Sequence, residues 1–119
     1  MAQFDVCLNP NADGAPAVPY LLEVQSDLLE PVSTRVVAPL ALLSERGEPA
    51  KYLNPVFEIE GVQVVMVTEQ IAGIPKRALG EMLLTLEVQR DQVMDAIDFL
   101  FRGFQSPRSG IRKPPPLGV

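Results

Sequence analysis

Short stretches of alternating hydrophobic and polar residues occur along the first half of the chain, and a period of two is typical of β-strands with one buried face. Residues 3–8 and 20–25 alternate in this way. Residues 34–43, TRVVAPLALL, are apolar on both sides and predict a central strand with both faces covered. We expect that strand to end or bulge at Pro39, because proline removes a hydrogen-bond donor from the ladder.

Two further stretches predict a β-hairpin. Residues 56–59 and 62–68 are rich in Val and Ile and are joined by Glu60 and Gly61, which is the spacing of a two-residue turn. Residues 69–78 contain glycine and proline and predict irregular chain with a short strand or turn.

Loops are predicted where turn-forming residues gather and the alternation stops. Residues 9–19, NPNADGAPAVP, and the charged segment 42–50 are the clearest cases. The apolar segment 79–86 leads from the strand region into the last element.

That last element is an amphipathic helix over residues 87–104, EVQRDQVMDAIDFLFRGF. Large apolar residues recur at steps of three and four and define its buried face: Val93, Ile97, Leu100 and Phe104, with Met94 and Phe101 beside them. Acids at similar steps predict a solvated opposite face: Glu87, Asp91, Asp95 and Asp98. Asp98 can pair with Arg102, and Gly103 offers the conformational freedom that commonly ends a helix.

The pattern as a whole predicts five or six short strands, mostly antiparallel, followed by one helix. The sequence therefore predicts a mainly β fold, a small barrel or curled sheet with a C-terminal helix against it. With 119 residues it is one domain, over residues 1–104. Residues 105–119, with four prolines and no periodicity, predict a disordered or polyproline tail.

Charge is divided unevenly along the chain. The tail carries Arg108, Arg112 and Lys113 and no acid, so of the net charge of −5 the body holds −8 and the tail +3. An acidic body repels phosphate backbones, so we expect no direct nucleic-acid binding and favour a basic partner. No apolar run is long enough for a membrane span or a signal peptide, and Cys7 is the only cysteine. The expected location is the cytoplasm.

Catalytic chemistry has little support. The chain has no histidine, which removes the commonest general base and the usual nucleophile triads. One cysteine and no histidine disfavour a zinc site, and the dispersed glycines form no phosphate-binding loop. We therefore expect no enzyme activity, metal or cofactor.

Three features remain as functional candidates, each with a structural alternative. The acidic stripe of the helix could bind a basic peptide or be a solvated face. The tail could dock to an aromatic groove or be inert. The apolar strip that ends at Phe104 could be a core contact or the seam of a symmetric dimer.

Several segments, read in order, resemble the CcdB family of bacterial toxins. They are QFDV (3–6), LEVQSDLLE (22–30), VVAPL (36–40), NPVFEIEG (54–61), GIPKRALG (73–80) and DAIDFLFRGF (95–104). The VQSD element and the Gly-Phe ending after an apolar helix are the most specific of these. The resemblance covers nearly all of residues 3–104.

The resemblance implies an SH3-like antiparallel barrel with a small side sheet and a C-terminal helix, forming a two-fold homodimer. Family members poison DNA gyrase by binding its GyrA subunit through three terminal residues, Trp, Gly and Ile, near the dimer axis, and a cognate antitoxin neutralises them. By position the contact residues are Arg102, Gly103 and Phe104, supported by Leu100 and Phe101. Arg102 therefore stands where the family has tryptophan, and fifteen residues follow Phe104.

The resemblance leaves three hypotheses open. The first is a gyrase-poisoning toxin whose loops at 9–19 and 43–49 shift when the antitoxin binds. The second is a non-toxic module that dimerises and binds the antitoxin only. The third is an endoribonuclease on the same fold, which without histidine would have to use residues such as Arg35 or Glu58.

Overall fold

The computed structural model describes residues 2–11, 14 and 17–103, and the region after Gly103 lies outside it. The described chain is mainly β with one α-helix near its C-terminal end, as predicted. It contains seven strands rather than five or six: β1 Asp5–Leu8, β2 Tyr20–Glu23, β3 Thr34–Leu42, β4 Val56–Ile59, β5 Val62–Met66, β6 Ala72–Pro75 and β7 Met82–Thr85. The helix α1 spans Arg90–Arg102.

All strand pairs are antiparallel and form one curled sheet in the order β4-β5-β3-β2-β1-β7. Strand β3 is the longest and lies at its centre. One edge of β3 pairs with β2, whereas its other edge pairs first with β6 and then with β5. Because this one edge of β3 pairs with two different strands, the sheet curls into a half-barrel.

Pro39 does not interrupt β3, which contradicts the sequence prediction. Strand β6 pairs with residues 34–37 of β3 and β5 pairs with residues 40–42, so residue 39 falls between the two partners. Its carbonyl accepts a hydrogen bond from the Val67 amide on that same edge, at 2.9 Å. In an antiparallel ladder the nitrogen points the same way as the carbonyl, so the missing donor costs no strand hydrogen bond.

The β4–β5 hairpin forms where the sequence predicts it. Glu60 and Gly61 have φ of 51° and 83°, the left-handed values that a tight two-residue turn needs. Strand β5 is shorter than the predicted 62–68 stretch, because a 3₁₀ turn occupies Thr68–Gln70.

The core lies between the concave face of the sheet and the start of α1. Its members are apolar side chains from five strands, the segment before the helix and the helix itself: Phe4, Val6, Tyr20, Leu22, Val24, Ala38, Leu40, Phe57, Ile59, Val64, Met66, Leu86 and Val93. The opposite face of β1 is also covered, so Asp5 and Cys7 are buried while Leu8 is partly exposed. The prediction that residues 3–8 form a strand with only one buried face is therefore wrong.

The helix begins at Arg90 rather than residue 87, because Glu87–Gln89 form a 3₁₀ turn. It ends at Gly103, whose φ is 74° and whose amide donates to the Phe99 carbonyl at 2.8 Å. No helix in the described part of the chain is long and apolar enough to cross a bilayer.

The helix faces differ from the prediction in detail. Val93 and Ala96 are buried, and Ile97 packs partly against the core. Asp95 and Asp98 are half-buried rather than fully solvated. Phe101 is 72% exposed and is no core residue.

Candidate partner-binding surface

The predicted contact residues lie together at the C-terminal end of α1. Leu100 is half-buried, whereas Phe101, Arg102 and Gly103 are exposed. The Phe101 ring is the most exposed aromatic side chain in the described part of the chain. Phe104, the last predicted contact, lies outside the described residues.

An apolar groove of about 300 Å³ runs from this helix end toward the sheet. We call it the helix-end groove. Phe101, Ile97 and Met94 form its helix side. Side chains of the sheet and of the turn after β2 form the rest of its wall: Val24, Gln25, Ser26, Leu29, Val36 and Ile71. The groove makes the helix end part of a wider apolar surface rather than an isolated tip.

The turn after β2, residues 27–30, is the part of this surface that sequence reasoning missed. We call it the leucine turn. Leu28 is 91% exposed and Leu29 is 49% exposed, and Leu29 lines the groove together with Phe101. Contiguous exposed apolar surface often marks a site of interaction. The signal was present in the sequence as LL after VQSD, but the linear pattern does not place it beside the helix.

The VQSD segment gives this turn its conformation. Ser26 caps the 3₁₀ helix Asp27–Leu29, accepting from the Leu28 amide at 3.2 Å. Asp27 accepts from the Gln3 amide at 2.7 Å. Gln25 accepts from the Val36 amide at 3.0 Å and donates to the Leu29 carbonyl at 3.4 Å. The polar side chains of VQSD therefore build the turn that presents the leucines.

Arg35 supports the turn from within the fold. It lies on β3, is 1% exposed, and donates to the Leu29 carbonyl at 3.2 Å and the Glu30 carbonyl at 3.1 Å. It also forms ion pairs with the Glu30 carboxylate and, at 2.8 Å, with Glu23. Lys76 reaches the same Glu30 carboxylate from outside.

The two acids of this cluster have opposite pKa shifts. Burial raises the pKa of Glu23, and the positive charge of Arg35 only partly offsets that effect. The hydrogen bond from Lys76 holds the pKa of the Glu30 carboxyl below its ordinary value. Glu30 is therefore firmly ionised at neutral pH, and it is the anion shared by Arg35 and Lys76.

The burial of Arg35 bears on the ribonuclease hypothesis. Its guanidinium is enclosed and already bound to carboxylates and carbonyls, so it cannot contact an RNA phosphate. Glu58, the other residue named for that hypothesis, is exposed on β4. Within residues 2–11, 14 and 17–103, no three His, Cys, Asp or Glu side chains are grouped to hold a metal ion.

A curled antiparallel sheet with one C-terminal helix defines a small mainly β domain. The family model described as CcdB protein matches residues 3–103, which is most of the chain and includes the helix end. The chain therefore belongs to the CcdB family, the toxins of toxin–antitoxin systems.

Proposed function

We propose that this protein inhibits DNA gyrase by binding the GyrA subunit through the helix end, and that a cognate antitoxin neutralises it. The observation that carries the proposal is that the family match continues to residue 103, through a helix end with an exposed Phe101. Binding energy at protein interfaces concentrates in a few large side chains, and an exposed aromatic ring is a suitable anchor. We propose that the protein is a binding inhibitor rather than an enzyme, and that it acts in the cytoplasm.

The proposed GyrA-binding surface consists of the helix end and the leucine turn. Leu100, Phe101, Arg102 and Gly103 supply the first part, and Phe104 continues it beyond the described residues. Leu29, which lines the helix-end groove, and the exposed Leu28 beside it supply the second part. Burying these apolar side chains together is worth more than burying one of them, because each excludes water from the others.

Arg102 stands at the position where the family has tryptophan, so it would have to make the contact with GyrA that tryptophan makes in the family. A guanidinium is planar, so it can stack on an aromatic ring or pair with a carboxylate of the partner. We expect Arg102 to contribute through one of these contacts, with Phe101 carrying the larger apolar share.

The surface is tested by measuring the affinity for a GyrA fragment with Phe101→Ala. We expect this change to weaken binding by about tenfold or more, because it truncates a central aromatic anchor. Val88→Ala is the matched control, since Val88 is 95% exposed but precedes the other end of α1. Equal affinities of the natural protein and Phe101→Ala would contradict the proposal.

We further propose that the protein is a two-fold homodimer with the helix ends near the axis. Support comes from family membership and from the apolar helix end, which a second copy could partly cover. Sedimentation equilibrium distinguishes a dimer from a single 13.0 kDa chain. A purely monomeric species at micromolar concentration would rule the dimer out.

The alternative function is a non-toxic module that dimerises and binds only the antitoxin, and the features that favour it are Arg102 and the tail after Phe104. The antitoxin would then wrap the surface near the loops at 9–19 and 43–49, as the first hypothesis also expects. Induced expression in bacteria separates the two. Growth arrest that co-expression of the antitoxin relieves supports the toxin, and unaffected growth supports the module.

A further inference from the structure

We propose that Arg35 and Lys76, acting on Glu30, are positioning residues that hold the leucine turn in place for partner binding. We call these three side chains the Glu30 clamp. The inference rests on the proposed function for the identity of the partner, but the clamp itself is argued from contacts within the chain. None of the three residues has to touch the partner.

The inner arm of the clamp is Arg35. A guanidinium offers five donors in a fixed fork, and here the fork is aimed at one short segment. Two of its nitrogens reach the carbonyls of Leu29 and Glu30 and the Glu30 carboxylate, while Nε lies 2.8 Å from Glu23. Glu23 lies in β2 and Arg35 in β3, so this arm ties the turn to two central strands.

The outer arm is Lys76. Its ammonium group contacts the Glu30 carboxylate and lies 3.4 Å from the Glu30 carbonyl. Lys76 directly follows β6, and its own amide donates to the Ser33 carbonyl at 2.8 Å. Because β6 pairs with β3 alongside Arg35, both arms extend from neighbouring parts of the same sheet.

A buried ion pair is not by itself a sign of stability, since apolar residues of similar volume often stabilise a fold as well or better. What needs explaining is the direction of the bonds. They converge on the end of a single turn of 3₁₀ helix, at the Leu29 and Glu30 carbonyls, whereas Ser26 and Asp27 hold the start of the same turn. The clamp therefore fixes the end of the turn that those two side chains do not reach.

The position of the turn matters because its Leu29 side chain forms part of the wall of the helix-end groove. Leu29 lines the groove opposite Phe101, and Leu28 projects beside it into solvent. A turn released from the clamp would carry both leucines away from the helix end without changing any residue of the surface. A surface that is ordered before binding avoids the cost of ordering it on contact.

Glu30→Gln tests the clamp. The change removes the anion shared by both arms, yet the Glu30 side chain is 51% exposed and the Arg35–Glu23 pair remains, so the fold should survive. The matched control is Glu87→Gln, which breaks the exposed Glu87–Arg90 ion pair far from the groove.

The first readout is amide hydrogen exchange in the full-length protein. We expect exchange of the Leu29 and Glu30 amides to rise several-fold in Glu30→Gln and to stay unchanged in Glu87→Gln, because only the former removes the charge that holds Arg35 and Lys76 against the turn. Unchanged protection in Glu30→Gln overturns the clamp, whatever the partner is.

The second readout is affinity for a GyrA fragment, measured as a double-mutant cycle with Leu28→Ala. We expect Glu30→Gln to weaken binding about fivefold in the natural background and much less in the Leu28→Ala background, because the clamp acts through the leucines. Equal losses in both backgrounds would show that Glu30 contributes independently of the turn and would overturn its positioning role. No binding by the natural protein would instead refute the proposed function, while the exchange result would still decide whether the clamp holds the turn.

Discussion

At the scale of single residues, polar side chains inside this fold serve to shape a loop. Gln25, Ser26 and Asp27 each hydrogen-bond to the backbone around the leucine turn, and Arg35 completes the set from β3. The VQSD element, one of the most specific segments of the family resemblance, thus has a structural explanation. The residues that recognition would use are the leucines that follow it.

This structural role of polar side chains could not be predicted from the sequence, because an alternating pattern assigns polar residues to the solvated side of a strand. Glu23 stands at a polar position of the alternating β2, yet it is buried beside the buried Arg35 of β3. The two side chains form a buried ion pair, and that pairing depends on strand register rather than on sequence spacing.

The ionisation of Glu30 predicts a specific pH dependence. The Lys76 hydrogen bond holds the pKa of this carboxyl in the folded protein below its ordinary value of 4.5. Its contribution to folding stability is therefore present above that value and is lost as the pH falls through the lower pKa of the folded state. Urea unfolding of the natural protein and of Glu30→Gln should differ by a constant free energy above about pH 5, and the difference should shrink on acidification. A difference that persists undiminished to about pH 2 would show that Glu30 is not held by its charge.

The thiol of Cys7 provides a second prediction at this scale. Burial, followed by the nearby charges of Glu23 and Asp5, raises its pKa to about 11. At about pH 8 the group is therefore an enclosed neutral thiol, which reacts poorly with disulfide reagents. We expect negligible labelling of the native protein and complete labelling in denaturant. Rapid labelling without denaturant would mean that β1 opens readily.

At the scale of elements, the two ends of the helix have different roles. Val93 is fully buried and joins the core, whereas Phe101 is mostly exposed two turns later. The sequence predicted the helix, its end at Gly103 and the core role of Val93 well, because a period of three to four is a strong signal. It could not separate buried from exposed apolar positions, since that depends on where the sheet ends beneath the helix.

This division predicts opposite results for two truncations on α1. Val93→Ala should lower the free energy of unfolding by about 2 kcal/mol, because it removes buried methyl groups and leaves a cavity. Phe101→Ala should change it by less than about 0.5 kcal/mol, because the ring is largely in water already. Denaturant titrations measure both. A large loss of stability in Phe101→Ala would instead assign the ring a structural role.

Prediction of the strands from the sequence has the same limit. The hairpin at Glu60 and Gly61 was predicted from two residues, because a local turn determines it. The continuation of β3 through Pro39 was not predicted, because it depends on the gap between β5 and β6. Both of these strands are remote from Pro39 in the sequence.

At the scale of the whole molecule, the fold brings the leucine turn and the helix end together across about seventy residues of sequence. The sheet provides a rigid base, the Glu30 clamp fixes one side of the helix-end groove, and α1 forms the other. Under the proposed function, this surface is the one that contacts GyrA.

The most direct measurement is a gyrase cleavage assay with purified protein, gyrase, ATP and supercoiled plasmid, run beside Phe101→Ala. We expect linear DNA with the natural protein and little or none with the variant, because trapping gyrase on cleaved DNA requires binding to GyrA. Arg102→Trp serves as a further comparison, since it restores the family residue. Linear DNA from Arg102→Trp but none from the natural protein would contradict the account by showing a preserved fold without gyrase-poisoning activity.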